Sequence, residues 1–278
     1  MNILITGANG FIGKYLKEYF QERNNKVFTI SRKLNSSNNA ANDYVADLSD
    51  INFIKNNFTE NIFGEKIDAI VHCAAILSTT DNKDIAVFHM NNAITESMIH
   101  IAKTTKTTKF INISSIGVYP NISGVYNEES MVEPSVNHEC LYSLSKICSE
   151  ELFKFYLNDT IHVINLRLGQ VYGKGMRDDR IYSIMKDELD NVNTITVFGN
   201  GERISNFVSI DYCINKIDKI VNNDMIKGTF NLGEKNLSYF DLAKMIISEF
   251  GNTSSKIVLI EKGVKSKVII DSTKINSL

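Results

Sequence analysis

A tyrosine and a lysine four residues apart are the side chains of this sequence best suited to moving a proton. Tyr142 and Lys146 lie in a stretch, about Glu139 to Leu157, whose apolar residues recur at helical spacing. Positions i and i+4 share one face of a helix, so the lysine ammonium would lie beside the phenol. A positive neighbour lowers the pKa of a phenol from its ordinary value of about 10. The spacing therefore predicts that Tyr142 exchanges a proton with a carbinol oxygen.

A serine pair after an apolar run could act on the same oxygen. Residues 109–114 predict a strand, and Ser114 and Ser115 stand at its end. The Ser115 hydroxyl could hydrogen-bond the carbinol oxygen. Taken alone, the Tyr-x-x-x-Lys spacing is better explained by a solvated surface pair. The proton-transfer hypothesis depends on this strand end and on a glycine-rich turn, which both precede the pair in the chain.

Three glycines near the N-terminus predict a phosphate-binding turn. Gly7, Gly10 and Gly13 follow the apolar run Ile3–Ile5 and precede an amphipathic helical pattern. A strand, turn and helix in this order bind a dinucleotide pyrophosphate, because free amides and the helix dipole favour negative charge. The spacing is a variant of the G-x-G-x-x-G fingerprint, and it does not fit a P-loop, since Tyr15 replaces the required Ser or Thr. A glycine turn of an ordinary α/β domain is the alternative.

The end of the second predicted strand bears on the identity of the dinucleotide. In NAD sites an acidic residue about 20 residues beyond the glycine turn binds the ribose hydroxyls. Here the strand Lys26–Ser31 ends on Ser31, and Arg32 and Lys33 follow. Serine and arginine can bind a 2′-phosphate, which a carboxylate would repel. The sequence therefore favours NADP(H). NAD(H) stays possible, and a solvated basic turn without a phosphate is the alternative.

Predicted strands alternate with predicted helices along the first half of the chain. Tyr44–Asp47, Ile67–Ala75 and 109–114 are further strands, and a long helix over 85–103 precedes the last of them. This alternation predicts a doubly wound α/β fold on a parallel sheet, the Rossmann arrangement, with ligands beyond the carboxyl ends of the strands. The predicted dinucleotide-binding domain is 1–167 plus 203–232. A smaller C-terminal α/β substrate lobe is predicted for 168–202 plus 233–278.

The composition of the 278 residues is that of an ordinary globular protein, with 43% hydrophobic residues, 22% charged residues and a net charge of −2. This balance gives no indication of a nucleic-acid or membrane partner, and no apolar run reaches the roughly 18 residues of a spanning helix. The four cysteines and five histidines form no metal-ligand motif. Because no signal-peptide pattern precedes the first strand, we expect a reduced, cytoplasmic chain without a metal.

Further motifs, in a fixed order along most of the chain, are similar to those of a known family. They are Thr6-Gly-Ala-Asn-Gly-Phe-Ile-Gly13, Asp47-Leu48, His72-Cys-Ala-Ala75, Asn91, Ser114-Ser-Ile-Gly-Val-Tyr119, Tyr142-Ser-Leu-Ser-Lys146, Leu166-Arg-Leu-Gly-Gln-Val-Tyr-Gly173, Phe198-Gly-Asn-Gly201 and Asn206-Phe-Val-Ser-Ile-Asp211. The chain resembles the extended short-chain dehydrogenase/reductase family, the NAD(P)-dependent nucleotide-sugar epimerases, dehydratases and reductases.

The resemblance implies roles for residues at matching positions. It implies that Tyr142 is the general acid/base, that Lys146 tunes it and holds the nicotinamide ribose, and that Ser115 holds the substrate oxygen. Substrate contacts are expected at Ser115, Gln170 and Arg203. The family usually forms a homodimer through the helices that carry Asn91–Ser97 and Tyr142–Lys146. The expected cofactor contacts are Thr6, Gly7, Gly10, Phe11, Ile12, Gly13, Ser31, Arg32, Asp47, Leu48, Ala74, Ala75, Asn91, Ser114, Tyr142 and Lys146.

Departures from the family pattern narrow the expected reaction. The family's 4,6-dehydratases carry an Asp-Glu pair after the serine or threonine, whereas this chain has Ile116-Gly117, so the acid and base for water elimination are missing. Ser31 replaces the acid common in NAD-using epimerases. The arginine that usually holds the sugar-nucleotide diphosphate is replaced in Ser205-Asn206, and Arg203 could substitute for it. Gln170 stands where many members have asparagine and can still donate and accept hydrogen bonds.

These observations together predict an NADP(H)-dependent oxidoreductase that reduces a nucleotide-linked keto sugar, most simply at C4 of a 6-deoxy sugar. An NAD-dependent nucleotide-sugar 4-epimerase is the alternative, and a non-catalytic dinucleotide-binding protein is the third hypothesis. Only Ile275–Leu278 follow the family-like Asp271–Lys274 element. The resemblance therefore predicts a shortened substrate lobe without the family's final helix.

Overall fold

The structure, a computed structural model, describes residues 1–33, 41–77, 85–135 and 139–278. Its strands are β1 Asn2–Thr6, β2 Lys26–Ser31, β3 Asp43–Val45, β4 Ala69–His72, β5 Lys109–Ser115, β6 Gly124–Tyr126, β7 His162–Leu168, β8 Gln170–Tyr172, β9 Thr194–Phe198, β10 Ile204–Ser209, β11 Gly228–Leu232, β12 Lys235–Ser238, β13 Lys256–Ile260 and β14 Val268–Ile270. Its helices are α1 Phe11–Glu22, α2 Ile51–Asn57, α3 Ala86–Thr104, α4 Cys140–Leu157, α5 Ile181–Val192, α6 Ile210–Val221, α7 Tyr239–Phe250 and α8 Thr273–Asn276. Short 3₁₀ turns span Ile116–Val118 and Gly199–Gly201.

The largest sheet among the described residues has seven strands, drawn from residues 2–232. Its strand order is β11-β7-β5-β4-β1-β2-β3, and β1 pairs in parallel with both β2 and β4. The pairs β2–β3 and β4–β5 are also parallel. The chain begins at the central strand β1 and adds β2 and β3 on one side of it. It then crosses to the other side and adds β4 and β5, so the direction in which strands are added reverses between β1 and β4. This confirms the predicted α/β fold, and such a reversal is where ligands bind in open parallel sheets.

The core of this sheet is apolar because its strands are covered on both faces. Leu4, Ile70 and Phe110 come from three neighbouring strands and are fully buried. Met98 of α3 and Phe153 of α4 belong to the same buried cluster. Packing of this density makes the strands a rigid base, so the residues at their carboxyl ends are held in fixed positions.

Two predicted strands end earlier than expected. β3 stops at Val45, because the Asp47 carboxylate accepts hydrogen bonds from the Ser49 amide at 2.9 Å and the Ser49 hydroxyl at 2.7 Å, which turns the chain. The prediction that Asp47 ends a strand is therefore wrong. β4 stops at His72. The Cys73 amide still donates to the Thr6 carbonyl of β1 at 3.2 Å, but the Ala74 and Ile76 amides donate to the side chains of Thr6 and Asn91.

The chain divides into two compact units. The first comprises Met1–Pro120, Met131–Arg167 and Ile214–Phe230, and the second comprises Asn121–Ser130, Leu168–Cys213 and Asn231–Leu278. Residues 121–130, 203–213 and 231–232 thus fall in the second unit, whereas the sequence assigns them to the dinucleotide domain. The reason is strand pairing, because β6 pairs with β14, and β10 pairs with β8 and β12. The assignment of ligands to domains stays a prediction.

The second unit is a smaller α/β body with its own core. Its small sheets are β12-β10-β8, β13-β9 and β14-β6. Phe207 of β10 and Leu242 of α7 are fully buried in its apolar cluster, which also contains Met185 of α5. Ser238 caps α7, with its hydroxyl accepting the Asp241 amide at 3.0 Å.

Candidate active site

The glycine turn between β1 and α1 is packed tightly against the residues that follow β4. Gly7 has a φ of +68°, and a Cβ atom there would lie 2.8 Å from the Ala74 amide nitrogen. A Cβ atom on Gly13 would lie 2.3 Å from the Gly7 carbonyl oxygen. Both positions therefore require glycine. Because Gly10 has no side chain to cap α1, the first-turn amides, including those of Phe11 and Ile12, are available to an anion such as a pyrophosphate.

Thr6 connects this turn to the end of β4. Its Oγ1 lies 2.7 Å from Nδ1 of His72 and accepts the Ala74 amide at 3.3 Å. Burial, with a smaller effect from the charge of Lys146, lowers the pKa of His72 to about 3, so the imidazole is neutral. The Thr6 hydroxyl thus hydrogen-bonds both the imidazole and the backbone after β4. Thr6 thus serves to fix the backbone around Ala74.

The residues predicted to bind the adenosine ribose lie at the end of β2 and after β3. The Ser31 hydroxyl donates to the Lys33 carbonyl at 2.9 Å, and Nδ2 of Asn9 donates to the same carbonyl at 2.8 Å. Partial burial opposes ionisation of Asp47, but the hydrogen bonds from Ser49 and the charge of Arg32 lower the pKa of its carboxyl overall. Arg32 is exposed, and the neighbouring Leu48 is buried. Arg32 is thus a solvent-facing cation beside an anionic turn.

Asn91 of α3 connects the end of β4 to the catalytic helix candidate α4. Its Oδ1 accepts the Ile76 amide at 2.8 Å, and its Nδ2 donates to the Ile76 carbonyl at 2.9 Å and to Ser145 Oγ at 3.1 Å. Both amide hydrogens are therefore engaged within the protein. The structure brings Ala74, Ala75, Asn91 and Lys146 together around one small polar pocket. Their contacts with a cofactor stay predictions.

The predicted Tyr142–Lys146 pair lies on one face of α4. The Lys146 ammonium is 5.6 Å from the centroid of the Tyr142 ring and donates to the Ile113 carbonyl at 2.7 Å. Lys146 is only 5% exposed. Burial lowers the pKa of Lys146 to about 8, although the neighbouring Cys73 and Glu150 act in the opposite direction. The lysine is thus a buried cation at neutral pH, fixed beside the partly exposed Tyr142 ring.

Ser115 is the last residue of β5, and its hydroxyl is oriented by the turn that follows. We call residues 114–119 the Ser115 turn. Ser115 Oγ accepts the Gly117 amide at 3.0 Å, so its hydrogen can be donated elsewhere. A Cβ atom on Gly117 would lie 2.7 Å from Ser143 Oγ, which shows how closely the turn approaches the first turn of α4. Ser115 and Tyr142 are therefore presented from two segments in close contact.

A buried ion pair near this site was missed from the sequence. Glu150 of α4 and Arg167 of β7 are joined by hydrogen bonds, and the pair also contacts Ser114 and Tyr119. The Ser114 hydroxyl donates to Glu150 and is 2% exposed, so its role as a cofactor ligand stays a prediction. One signal was available, because Glu150 follows Lys146 by four residues and so continues the Tyr142–Lys146 face of the helix.

The two further substrate-binding candidates lie in the second unit. Gln170 begins β8 and is half-buried. Arg203 immediately precedes β10, and its guanidinium carbon is 5.2 Å from the ring centroid of Tyr239. Its Nε is buried and has no hydrogen-bond partner among the residues the structure describes. Their contacts with a substrate stay predictions.

The described residues contain neither a metal-binding cluster nor a membrane-spanning helix. Within residues 1–33, 41–77, 85–135 and 139–278, no cluster of three or more His, Cys, Asp or Glu side chains could hold a metal ion. His138 lies outside these described residues. None of the helices in the same ranges combines the length and the apolar character needed to cross a bilayer.

Comparison with known proteins agrees with this geometry. The profile of the NAD-dependent epimerase/dehydratase family matches residues 3–233. A dTDP-D-glucose 4,6-dehydratase of Dictyostelium discoideum is 30% identical over 272 residues, 88% of this chain and 61% of that protein. A GDP-6-deoxy-D-talose 4-dehydrogenase of Aggregatibacter actinomycetemcomitans is 25% identical over 84% of this chain and 74% of its own. The chain thus spans 61% of the length of the first of these relatives.

A solved structure shows the same fold. The UDP-glucuronic acid 4-epimerase of Bacillus cereus, in complex with UDP-glucuronic acid and NAD, superposes with a TM-score of 0.77 at 24% sequence identity. The superposition covers 100% of this chain and 92% of the other. At this level of identity the similarity establishes the fold, which the resemblance had implied.

Proposed function

The chain belongs to the NAD-dependent epimerase/dehydratase family, and we propose that it is an oxidoreductase that reduces a keto carbon of a nucleotide-linked sugar. The observation that carries this proposal is the Tyr142 ring beside the buried Lys146 ammonium, at a centroid distance of 5.6 Å. The Ser115 hydroxyl, which accepts from Gly117 and keeps its own hydrogen, completes the set. A phenol, a cation and a hydroxyl donor are the groups that reduction of a carbonyl requires.

Each of these groups has one task in the proposed reaction. A dinucleotide held at the glycine turn would supply the hydride for the keto carbon. Tyr142 gives its proton to the carbonyl oxygen as negative charge develops there. The Lys146 ammonium stabilises the phenolate that remains, and at neutral pH it is protonated because its pKa is about 8. Ser115 donates a hydrogen bond to the same oxygen, which holds the carbonyl next to Tyr142.

Reduction without loss of water is favoured by the residues of the Ser115 turn. Position 117 is glycine, and a Cβ atom there would lie 2.7 Å from Ser143 Oγ and 3.2 Å from Ser115 Oγ. An acidic side chain at this position would need Ser143 to move. Ile116 is also non-ionisable, so the turn offers neither an acid nor a base for elimination. Support also comes from the GDP-6-deoxy-D-talose 4-dehydrogenase relative, whose name describes redox chemistry at C4.

The residues around the glycine turn fit a dinucleotide, and we favour NADP(H). Gly7 and Gly13 admit no side chain, and the bare start of α1 offers amides to a pyrophosphate. Ser31 stands where an acid would bind the ribose of NAD, and the exposed Arg32 next to it would bind a 2′-phosphate. NAD(H) is the second candidate, because the family description names NAD.

A nucleotide-sugar 4-epimerase is the second candidate function. It would use the same Tyr142, Lys146 and Ser115, but the dinucleotide would stay bound and return the hydride to the opposite face. The observation in its favour is the match to a family described by NAD-dependent epimerisation. Nucleotide released from the folded protein discriminates the two, since tightly held NAD supports the epimerase and exchangeable NADP supports the reductase.

The remaining parts of the proposal concern substrate binding, oligomeric state and cellular compartment. Gln170 and Arg203 would contact the nucleotide-linked sugar, with the arginine near its diphosphate. A homodimer would form through α3 and α4, and the enzyme would work in the cytoplasm. Size-exclusion chromatography with light scattering tests the dimer directly.

The reductase proposal is tested by NADPH oxidation with a panel of nucleotide-linked 4-keto-6-deoxysugars. We expect turnover by the wild type and none by Tyr142→Phe, which removes the proton donor. Tyr156→Phe is the matched control, since this tyrosine lies on the same helix and is 47% exposed. Failure to oxidise NADPH with any substrate, together with interconversion of two 4-epimers by bound NAD, overturns the proposal in favour of the epimerase.

A further inference from the structure

The ion pair between Glu150 and Arg167 is buried within the first unit. Glu150 is 1% exposed and Arg167 is 5% exposed. Nη2 of Arg167 donates to Oε2 of Glu150 at 2.8 Å, and Nε lies 3.1 and 3.2 Å from the two carboxylate oxygens. A buried ion pair adds little net stability, because the cost of removing two charges from water offsets their attraction. The other contacts of the pair are therefore informative.

These contacts reach both ends of the Ser115 turn. Glu150 Oε1 accepts the Ser114 hydroxyl at 2.5 Å, at the end of β5. Arg167 Nη1 donates to the Tyr119 hydroxyl at 2.8 Å, and its guanidinium carbon is 5.1 Å from the centroid of that ring. Ser114 and Tyr119 flank Ser115 and the short 3₁₀ turn. The ion pair thus holds the segment that carries the Ser115 hydroxyl at two points.

Glu150 also fixes this segment relative to the proton-transfer residues. It lies on α4 eight residues after Tyr142 and four after Lys146, so all three lie on one face of one helix. An α-helix is rigid over two turns, and a contact at Glu150 therefore locates Tyr142 as well. The carboxylate also faces Lys146, where its charge favours the ammonium against burial. The groups facing Lys146 from β4 and its exit, His72 and Cys73, are kept neutral by burial.

We propose that Glu150 is a positioning residue, which holds the Ser115 hydroxyl at a fixed place relative to Tyr142 and Lys146. In this arrangement the hydroxyls of Ser115 and Tyr142 can both hydrogen-bond the same substrate oxygen. The consequence for catalysis rests on the proposed function. The consequence for the Ser115 turn does not, and it can be measured without a substrate.

Three variants separate this role from general stabilisation. Glu150→Gln removes the charge but keeps the length of the side chain. Ser114→Ala removes one contact to the turn and leaves the ion pair intact, so it decides the question if Glu150→Gln does not fold. Glu151→Gln is the matched control, because Glu151 is the next residue, is exposed and pairs with Lys154.

Hydrogen exchange measures how well the amides of the Ser115 turn are protected. The Gly117 amide bonds to Ser115 Oγ, and the Tyr119 amide bonds to the Ile116 carbonyl. In Glu150→Gln and Ser114→Ala, we expect these two amides to exchange about tenfold faster, the effect of losing one charge-assisted hydrogen bond that closes the turn. Exchange in β1 should stay unchanged, as should the turn in Glu151→Gln. Equal acceleration in β1 and the turn, or no acceleration in the turn, overturns the proposal.

Steady-state kinetics measure the effect of Glu150 on catalysis. With a substrate of the proposed reductase, kcat should fall about tenfold in Glu150→Gln and Ser114→Ala, while KM for the dinucleotide should be unchanged in Glu150→Gln. An unchanged kcat in both variants overturns the positioning role. If the wild type turns over no nucleotide-linked sugar but the exchange pattern is as expected, the proposed function fails and the role of Glu150 in holding the turn is supported.

Discussion

Gly117 and Ser143 meet where the Ser115 turn touches α4: a Cβ atom on Gly117 would lie 2.7 Å from Ser143 Oγ and 3.8 Å from Ser143 Cβ. The first distance is too short for real atoms, and the second is an ordinary contact. Gly117→Ala should therefore move the turn away from Tyr142, lower kcat about tenfold and cost about 1–3 kcal/mol of unfolding free energy. Urea unfolding and steady-state kinetics measure the two effects.

The same geometry supplies a rescue. Ser143→Ala removes the Oγ atom that clashes, so the double variant Gly117→Ala/Ser143→Ala should recover most of the lost stability and turnover. Ser143→Ala alone should behave close to the wild type. Additive effects in this double-mutant cycle would show that the contact does not set the position of the turn.

Lys109 is expected to be important for stability and not for catalysis. It is 2% exposed at the start of β5, and its Nζ donates to the carbonyls of Ile220 at 3.0 Å and Val221 at 2.6 Å, at the end of α6. Lys109→Met would leave these carbonyls without their donor and should cost about 2–4 kcal/mol in urea unfolding. The control is Asp224→Asn, because this partner side chain is 88% exposed and its loss should leave the unfolding free energy nearly unchanged. Equal losses would contradict the prediction.

The glycine turn, the parallel sheet and the Tyr142–Lys146 face could be predicted because each depends on local spacing. Three glycines after an apolar strand dictate a turn, and an i, i+4 pair shares a face whatever the rest of the fold does. The end of β3 could not be predicted, since it depends on hydrogen bonds from Ser49 to Asp47 that replace strand pairing. An apolar and β-branched run alone does not show where side-chain hydrogen bonds replace strand pairing.

The buried contacts of Glu150, Arg167 and Tyr119 could not be predicted from the sequence, for a different reason. Glu150 and Arg167 are 17 residues apart, and Arg167 and Tyr119 are 48 residues apart, so only the sheet order brings them together. A glutamate on an amphipathic helix is usually at the surface. The helical spacing from Lys146 placed Glu150 on the correct face, but nothing in the sequence identified its partners.

The titration of Lys146 should be visible in the stability of the protein. Its folded-state pKa of about 8 lies below the ordinary 10.5, so the unfolded state binds more protons between these values and stability rises with pH across this window. Relative to Lys146→Met, the wild type should gain about 3 kcal/mol between pH 8 and 10.5, at about 1.4 kcal/mol per pKa unit. Cys73, whose pKa burial raises to about 12, stays neutral there. A pH-independent difference in urea unfolding would contradict this assignment.

Arg32 should discriminate between the two dinucleotides. Arg32 is exposed after β2, and its charge helps to lower the pKa of the Asp47 carboxyl. A bound 2′-phosphate would compete with this carboxylate for the arginine. Arg32→Ala should weaken NADPH binding about tenfold or more, the loss of a charge-assisted hydrogen bond, and leave NADH binding within about twofold. Fluorescence titration of each dinucleotide measures both values. Arg23→Ala is the control, since Arg23 is an exposed arginine that stacks on Tyr19 at the end of α1. If Arg32→Ala weakens neither dinucleotide, or both equally, the basic turn does not select NADP(H), and the NAD-dependent alternative is favoured.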